Sequence, residues 1–317
     1  MKVIDHLRNN HGPCISFEII PPLKGQMIRH VYEDIEPLLE FKPRFINVTY
    51  HREEYVFKER EGGLLEKFSI RKRPGTVGIC AALMYKYDID TVPHIICGGF
   101  SREETENALI DLHYLGVHNA LVVRGDPIKT ETYFKPHPRG HSHASELLQQ
   151  IKAMNKGVYL DQDIEDPWAT DFCVGVAGYP EKHFEAPNQA ADLRNLARKV
   201  ELGAEYVITQ MCFDADRFLA FVEQCRGLGI EVPILPGIKP LSSFNQVRSF
   251  PTLFHIEIPE ALLAELDHCK SNHDVELVGR EWAVTQCRKL LAGGVPGLHF
   301  YTMSRSGPTR EVLKAIL

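Results

Sequence analysis

Eight short apolar runs, separated by stretches of helical period, constrain the fold of this chain more than any other feature. They are Cys14–Ile20, Arg44–Tyr50, Thr91–Cys97, Asn119–Val123, Phe172–Ala177, Tyr206–Met211, Val232–Pro236 and Leu298–Thr302. Most are rich in Val, Ile and Phe and bounded by Gly or Pro, as expected of strands covered on both faces. Between them, Ser101-Arg102-Glu103-Glu104 opens a helix with a near capping box, and Ala108, Leu109, Leu112 and Leu115 form its apolar stripe before Gly116. A second helix is predicted from Gln189 to Leu202, with Leu193, Leu196, Ala197 and Val200 on one face and Gly203 as its stop. Helices are also predicted over Asp214–Leu228 and, capped by Thr76, over Thr76–Tyr87. Such alternation over 317 residues predicts an α/β fold, a (β/α)8 TIM-type barrel in one domain spanning 1–317. A doubly wound open sheet is the alternative, weakened because no G-x-G-x-x-G follows any run. His51–Pro74, charged and interrupted by Gly62-Gly63, and the acidic Gly157–Trp168 read as loop insertions.

Composition narrows the function by exclusion. With 44% hydrophobic and 25% charged residues the chain can bury a full core. A net charge of −6 argues against a nucleic-acid partner, and Arg71-Lys72-Arg73 before Pro74-Gly75 reads as a solvated loop. The amino terminus has no apolar h-region, and no run nears the roughly 18 residues of a membrane span, so neither secretion nor a membrane is expected. The eight cysteines are scattered with no C-x-x-C pair, a pattern that suits a reducing cytosol, and a cytoplasmic protein is expected. His137, His141 and His143 form the one tight histidine cluster, in a Pro/Gly-rich loop, and no metal site is expected there.

In a parallel α/β protein, ligands collect past the carboxyl ends of the strands. In a barrel, Glu18, Thr49, His94, Asp126, Tyr179 and Gln210 would converge from such ends on one mouth. Burial and mutual repulsion push the pKa values of two carboxylates apart, so Glu18 and Asp126 can serve as a proton donor and a fixed negative charge. An ordinary turn bridge between Arg124 and Asp126 is the competing reading. No G-x-S-x-G elbow, P-loop or H-E-x-x-H is present. Amide, phenol, imidazole and carboxylate groups without such a nucleophile or metal set point to an organic cofactor for the electron chemistry.

Several of these segments recur in order in a known family. Ser16-Phe17-Glu18-Ile19-Ile20-Pro21-Pro22, Val48-Thr49-Tyr50, Pro93-His94, Arg124-Gly125-Asp126-Pro127 and Ala177-Gly178-Tyr179-Pro180-Glu181-Lys182-His183 resemble methylenetetrahydrofolate reductase. So do Ile208-Thr209-Gln210, Pro236-Gly237-Ile238 and His299-Phe300-Tyr301-Thr302. The resemblance spans essentially the whole chain. It implies a flavin-containing (FAD) barrel that reduces methylenetetrahydrofolate to methyltetrahydrofolate with NADH or NADPH. Glu18 then matches the general acid, which protonates N10 so that the folate ring opens to an iminium able to accept hydride. Asp126 matches the carboxylate at the flavin N1/C2 edge, where its charge opposes the reduced anion. Gln210 and Gln246 match pterin contacts, Phe250 an aromatic that shifts between ligands, and Arg305 a substrate-side cation.

The positions matching flavin contacts are Thr49, Tyr50, His94, Arg124, Gly125, Asp126, Ala144, Tyr179, His183, Asp192, Asn195, Arg198 and Lys199. On the predicted helix, positions 192, 195 and 199 share one face, and Arg198 and Lys199 would neutralise a pyrophosphate. Without the resemblance the preferred reading of that face is solvated surface. His51-Arg52 departs from the small residues usual after Val-Thr-Tyr. The chain stops soon after the eighth run, so the S-adenosylmethionine-binding domain of eukaryotic relatives is expected to be absent. Small-molecule partners, folate and a nicotinamide dinucleotide, and a homo-oligomer are expected. Two other classes remain open: a barrel that binds flavin or folate without reductase turnover, and a flavin-free folate-dependent methyltransferase barrel.

Overall fold

The computed structural model describes residues 1–9, 12–128 and 131–317. In chain order the elements are α1 (Val3–Arg8), β1 (Cys14–Ile19), α2 (Arg29–Ile35), a 3₁₀ turn (Glu36–Phe41), β2 (Phe45–Val48), β3 (Glu54–Glu59), β4 (Leu65–Ile70), α3 (Thr76–Tyr87), β5 (Asp90–Ile96) and α4 (Arg102–Tyr114). There follow β6 (Asn119–Val123), α5 (Ala144–Met154), β7 (Cys173–Gly178), α6 (Gln189–Glu201), β8 (Tyr206–Met211), α7 (Ala215–Gly227) and β9 (Ile234–Ile238). The chain then runs through α8 (Phe244–Phe254), α9 (Glu260–Leu266), α10 (Asn272–Ala292), β10 (Gly297–Tyr301) and α11 (Ser306–Ile316).

Eight parallel strands close on themselves in the order β1, β2, β5, β6, β7, β8, β9, β10 and back to β1. This is the expected (β/α)8 barrel, not the open sheet. Strand alternation sorts the core. Ile15, Phe17, Ile46, Val48, Val122, Val174 and Phe300 point outward into the layer beneath the helices. Cys14, Phe45, Val92, Leu121, Cys173, Tyr206 and Leu235 fill the barrel's amino-terminal half together with Val3 and Ile4 of α1. The Val3 N–H donates to Asn119 Oδ1 at 2.8 Å, which seats α1 as a plug at that end. The Tyr206 ring crosses the lumen where a Cβ on Gly175 would stand 2.2 Å from it, so β7 needs glycine there.

Local sequence explains the helix ends. Ser101 and Glu104 form a full capping box on α4, and the Asp214 carboxylate accepts from the N–H groups of Asp216 and Arg217 at the start of α7. Three expectations change. Gly75, not Thr76, is the N-cap of α3, and no side chain caps it. In α4, Leu115 is 46% exposed, and Thr105, Leu109 and Leu112 make the buried stripe instead. The 51–74 insertion is not a plain loop: β3 and β4 form an antiparallel hairpin, turned at Gly62 and Gly63, whose φ values of 85° and 73° favour glycine.

Candidate active site

At the carboxyl-terminal half of the barrel the lumen turns polar. Ser16 on β1, Asn47 on β2, His94 on β5 and His299 on β10 are all buried there. Ser16 Oγ and His299 Nδ1 lie 2.9 Å apart, and Asn47 Nδ2 lies 3.3 Å from His94 Nε2. An amide nitrogen can only donate, so His94 Nε2 accepts. Glu18 stands above this layer with its carboxylate 3.4 Å from the same His94 nitrogen and 4.0 Å from His299 Nε2. Burial raises the Glu18 carboxyl, with His94 opposing. Burial lowers the His94 imidazole, and the Glu18 carboxylate only partly offsets that; burial brings His299 down to about 3. Neutral imidazoles and a desolvated carboxyl together favour Glu18 in its protonated form. While it carries its proton, its hydroxyl competes with the Asn47 amide for the single lone pair of His94 Nε2.

Two half-buried phenols, Tyr301 and Tyr179, span the mouth from Glu18 towards Asp126. Tyr301 is raised by burial, with Glu18 and then Tyr179 adding to the shift, and its hydroxyl donates to the Thr209 carbonyl at 2.8 Å. Tyr179 is likewise raised by burial, then by Asp126. Asp126 itself is open to solvent at the mouth, yet the surrounding protein raises its carboxyl, with Arg124 and His255 opposing. Arg124 does not bridge to it. Its guanidinium binds Glu185 at 2.5 Å and lies over the Phe134 ring, 4.8 Å from its centre. Gly125 between them has φ 85°, a conformation that side chains resist.

Past β7, the Tyr179 and His183 rings meet edge to face at 4.8 Å, and the His183 N–H donates to Asp192 Oδ2 at 2.9 Å. Lys199 donates to the Ala177 carbonyl at 2.9 Å, and burial lowers its amine to about 8. The α6 face is therefore bonded back to the strand end through Asp192 and Lys199, while Asn195 and Arg198 on the same helix are exposed. Ala144 is the first residue of α5. Thr49 Oγ1 lies 3.2 Å from His51 Nε2, and the Tyr50 ring packs edge-on against Phe100 at 5.0 Å. Arg52 has a defined role: its guanidinium pairs with Glu131 at 2.7 Å, tying the chain after β2 to the chain after β6. His141 bonds Gln150 at 2.5 Å.

On the side of β8 to β10, Gln210 Oε1 accepts from the Met211 N–H at 2.9 Å. Gln246 Oε1 accepts from the Ser242 N–H at 2.8 Å and its hydroxyl at 3.1 Å, and Arg305 Nη1 reaches the same hydroxyl at 3.4 Å. Ser242 thus joins two of the residues expected to touch substrate. Phe250 is 4% exposed, edge-on to Phe254 at 5.2 Å. The sequence reading missed His299, Tyr301, Asn47 and Ser16 as site residues. Their signal was present, since 16 and 18, 47 and 49, and 299 and 301 share the inward face of a strand.

A family model described as methylenetetrahydrofolate reductase matches residues 2–317. A probable methylenetetrahydrofolate reductase (NADPH) of Caenorhabditis elegans is 30% identical over 99% of this chain, which covers 43% of that protein. Methylenetetrahydrofolate reductase (NADH) 1 of Arabidopsis thaliana is 30% identical over 96% of this chain and 49% of its own length. The chain spans about half the length of these relatives. The 5,10-methylenetetrahydrofolate reductase of Escherichia coli K12 is 30% identical over 92% of this chain and 86% of its own. A Clostridium thermocellum protein described as binding two copies of 5-methyl-5,6,7,8-tetrahydrofolic acid shares the fold, with a TM-score of 0.55 and 15% identity over 98% of this chain and 96% of its own. No helix among the described residues is long and apolar enough to cross a membrane.

Proposed function

The chain belongs to the methylenetetrahydrofolate reductase family, and from that membership and the geometry of the mouth we propose that it reduces 5,10-methylenetetrahydrofolate to 5-methyltetrahydrofolate, using bound FAD and NADH or NADPH. The observation that carries the reading is Glu18, a carboxyl at the mouth 3.4 Å from His94 and 4.0 Å from His299, where burial raises its pKa and so favours the proton that a ring nitrogen needs to become a leaving group.

The residues fit a flavin dinucleotide. Lys199 is a half-buried amine held by a backbone carbonyl, and Arg198 beside it is exposed; together they suit a pyrophosphate. A side chain at Gly125 would resist its backbone conformation, with φ of 85°. Thr49, Tyr50, His94, Arg124, Gly125, Asp126, Ala144, Tyr179, His183, Asp192, Asn195, Arg198 and Lys199 would hold the cofactor. When bound, it supplies two-electron chemistry, taking hydride from the nicotinamide and releasing it to the folate.

The protein's own share is proton placement and electrostatics. Glu18 gives its proton to N10, which opens the five-membered ring, and the His94 and Asn47 layer keeps the carboxyl in place. Asp126 keeps a negative charge at the mouth, which favours the cationic iminium. Gln210, Gln246 and Arg305 orient the folate, and Phe250 offers a stacking face. We place the reaction in the cytoplasm, supported by eight cysteines that are all free and of which all but Cys269 are buried, and expect a homo-oligomer. The experiment that tests the reading is a flavin absorbance spectrum of the purified protein, then turnover with folate. A colourless protein active as a folate methyltransferase would replace it.

A further inference from the structure

Lys239, just past β9, is 3% exposed. Its ammonium donates to the Thr302 carbonyl at 3.1 Å, and the charge acting on it is another cation, Arg305. Among the described residues it forms no ion pair. Burying an ammonium without a carboxylate is costly, and a methionine would fill the same space without that cost.

What this cation holds is a junction. The Thr302 N–H and hydroxyl both donate to the backbone carbonyl of Glu18, at 3.1 and 2.8 Å. The Thr302 carbonyl accepts from Lys239 and from the Arg305 N–H, the latter at 3.1 Å. Between Thr302 and Arg305, both Met303 and Ser304 are left-handed, with φ of 50° and 59°. Non-glycine residues hold that conformation only where their surroundings enforce it. Arg305 then reaches Ser242, the partner of Gln246.

We propose that Lys239 is a positioning residue for the folate half of the reaction. By holding the Thr302 carbonyl, it fixes both the backbone of the proton donor Glu18 and the strained turn that presents Arg305. The proposal rests on the reductase reading above and adds a residue to it. A fold that carries an unpaired buried cation for positioning should gain stability, and lose function, when the cation is removed.

The test uses the full chain with flavin bound and three measurements: thermal midpoint, anaerobic flavin reduction by NADH or NADPH, and reoxidation by methylenetetrahydrofolate in stopped flow. Lys239→Met is expected to melt no lower than wild type and to be reduced at the wild-type rate. Its reoxidation by folate should be at least tenfold slower, and Lys239→Arg, which keeps a donor, should recover most of that loss. Wild-type reoxidation in Lys239→Met would overturn the proposal, as would equal slowing of both half-reactions. A Lys239→Met chain that fails to fold would overturn it too, because Lys239 would then be structural. If wild-type protein binds flavin that folate cannot reoxidise, the reductase reading falls and this proposal with it.

Discussion

Arg124 reaches away from Asp126, two residues along the same turn, and binds Glu185 at 2.5 Å. The charge most able to neutralise Asp126 is thereby engaged elsewhere, and the carboxylate stays at the mouth without an ion pair among the described residues. Asp126→Asn should therefore raise the flavin midpoint potential. One charge several Å away in a semi-polar site is worth about 1–3 kcal/mol, or roughly 20–65 mV for a two-electron couple. Folate reduction should slow while reduction by the nicotinamide is spared or helped. A redox titration with an unchanged or lowered potential would remove Asp126 from the flavin edge.

Glu18→Gln should leave flavin bound and reducible by NADH or NADPH but slow folate reduction by roughly 10²–10⁴-fold, the usual worth of a positioned proton donor. Because the protonated carboxyl is the active form and burial raises it, the wild-type folate half-reaction should fall as pH rises through the Glu18 pKa. Stopped-flow rates across a pH series check both points. Near-wild-type rates in the variant would show that the proton comes from elsewhere.

Glu181 has a pH signature in stability. Burial lifts its carboxyl to about 7 from an ordinary value of 4.5, with Arg217 opposing; that guanidinium lies 4.0 Å away and is bound by Glu257. Between those two pH values the folded chain holds a proton that the unfolded chain has released. Unfolding free energy should thus fall by on the order of 3 kcal/mol as pH rises from below 4.5 to about 7, and not further above that. Glu181→Gln should flatten this slope. Denaturant titrations at pH 5 and pH 8 that gave the same pH dependence for variant and wild type would contradict the assignment.

One mouth should serve nicotinamide and folate in turn. Steady-state double-reciprocal lines are then parallel, with folate inhibiting competitively against the nicotinamide. Phe250, buried against Phe254, would have to turn out of that contact to stack on either ring. Intersecting lines would show both substrates bound together.

The barrel was legible because its strands are continuous apolar runs, and their ends were read to within about two residues. β9 was the furthest displaced, since Pro236-Gly237 resembles a strand terminator. In the fold Gly237 is bare because a Cβ there would stand 2.4 Å from the Thr209 carbonyl oxygen and 2.6 Å from the Tyr301 ring. The 54–70 hairpin was hidden because charged residues interrupt its alternation and only the Gly62-Gly63 turn marks it. The strand-end residues were read as one set because the barrel puts all its carboxyl ends on one side. The partner of Arg124 could not be read, since Glu185 lies on another loop and the local rule favoured Asp126. The role of Lys239 was equally hidden, because Thr302 meets it only once β9 and β10 lie side by side.

On the proposed reading, one bound flavin carries hydride from a nicotinamide to folate at this mouth. Its most direct test is an anaerobic titration of the purified protein, followed in the visible flavin absorbance. The purified protein should be yellow, be bleached by NADH or NADPH and be restored by methylenetetrahydrofolate, with methyltetrahydrofolate formed in equal amount to the flavin reoxidised. A protein that takes up no flavin, or whose bleached flavin folate leaves unchanged, would contradict it.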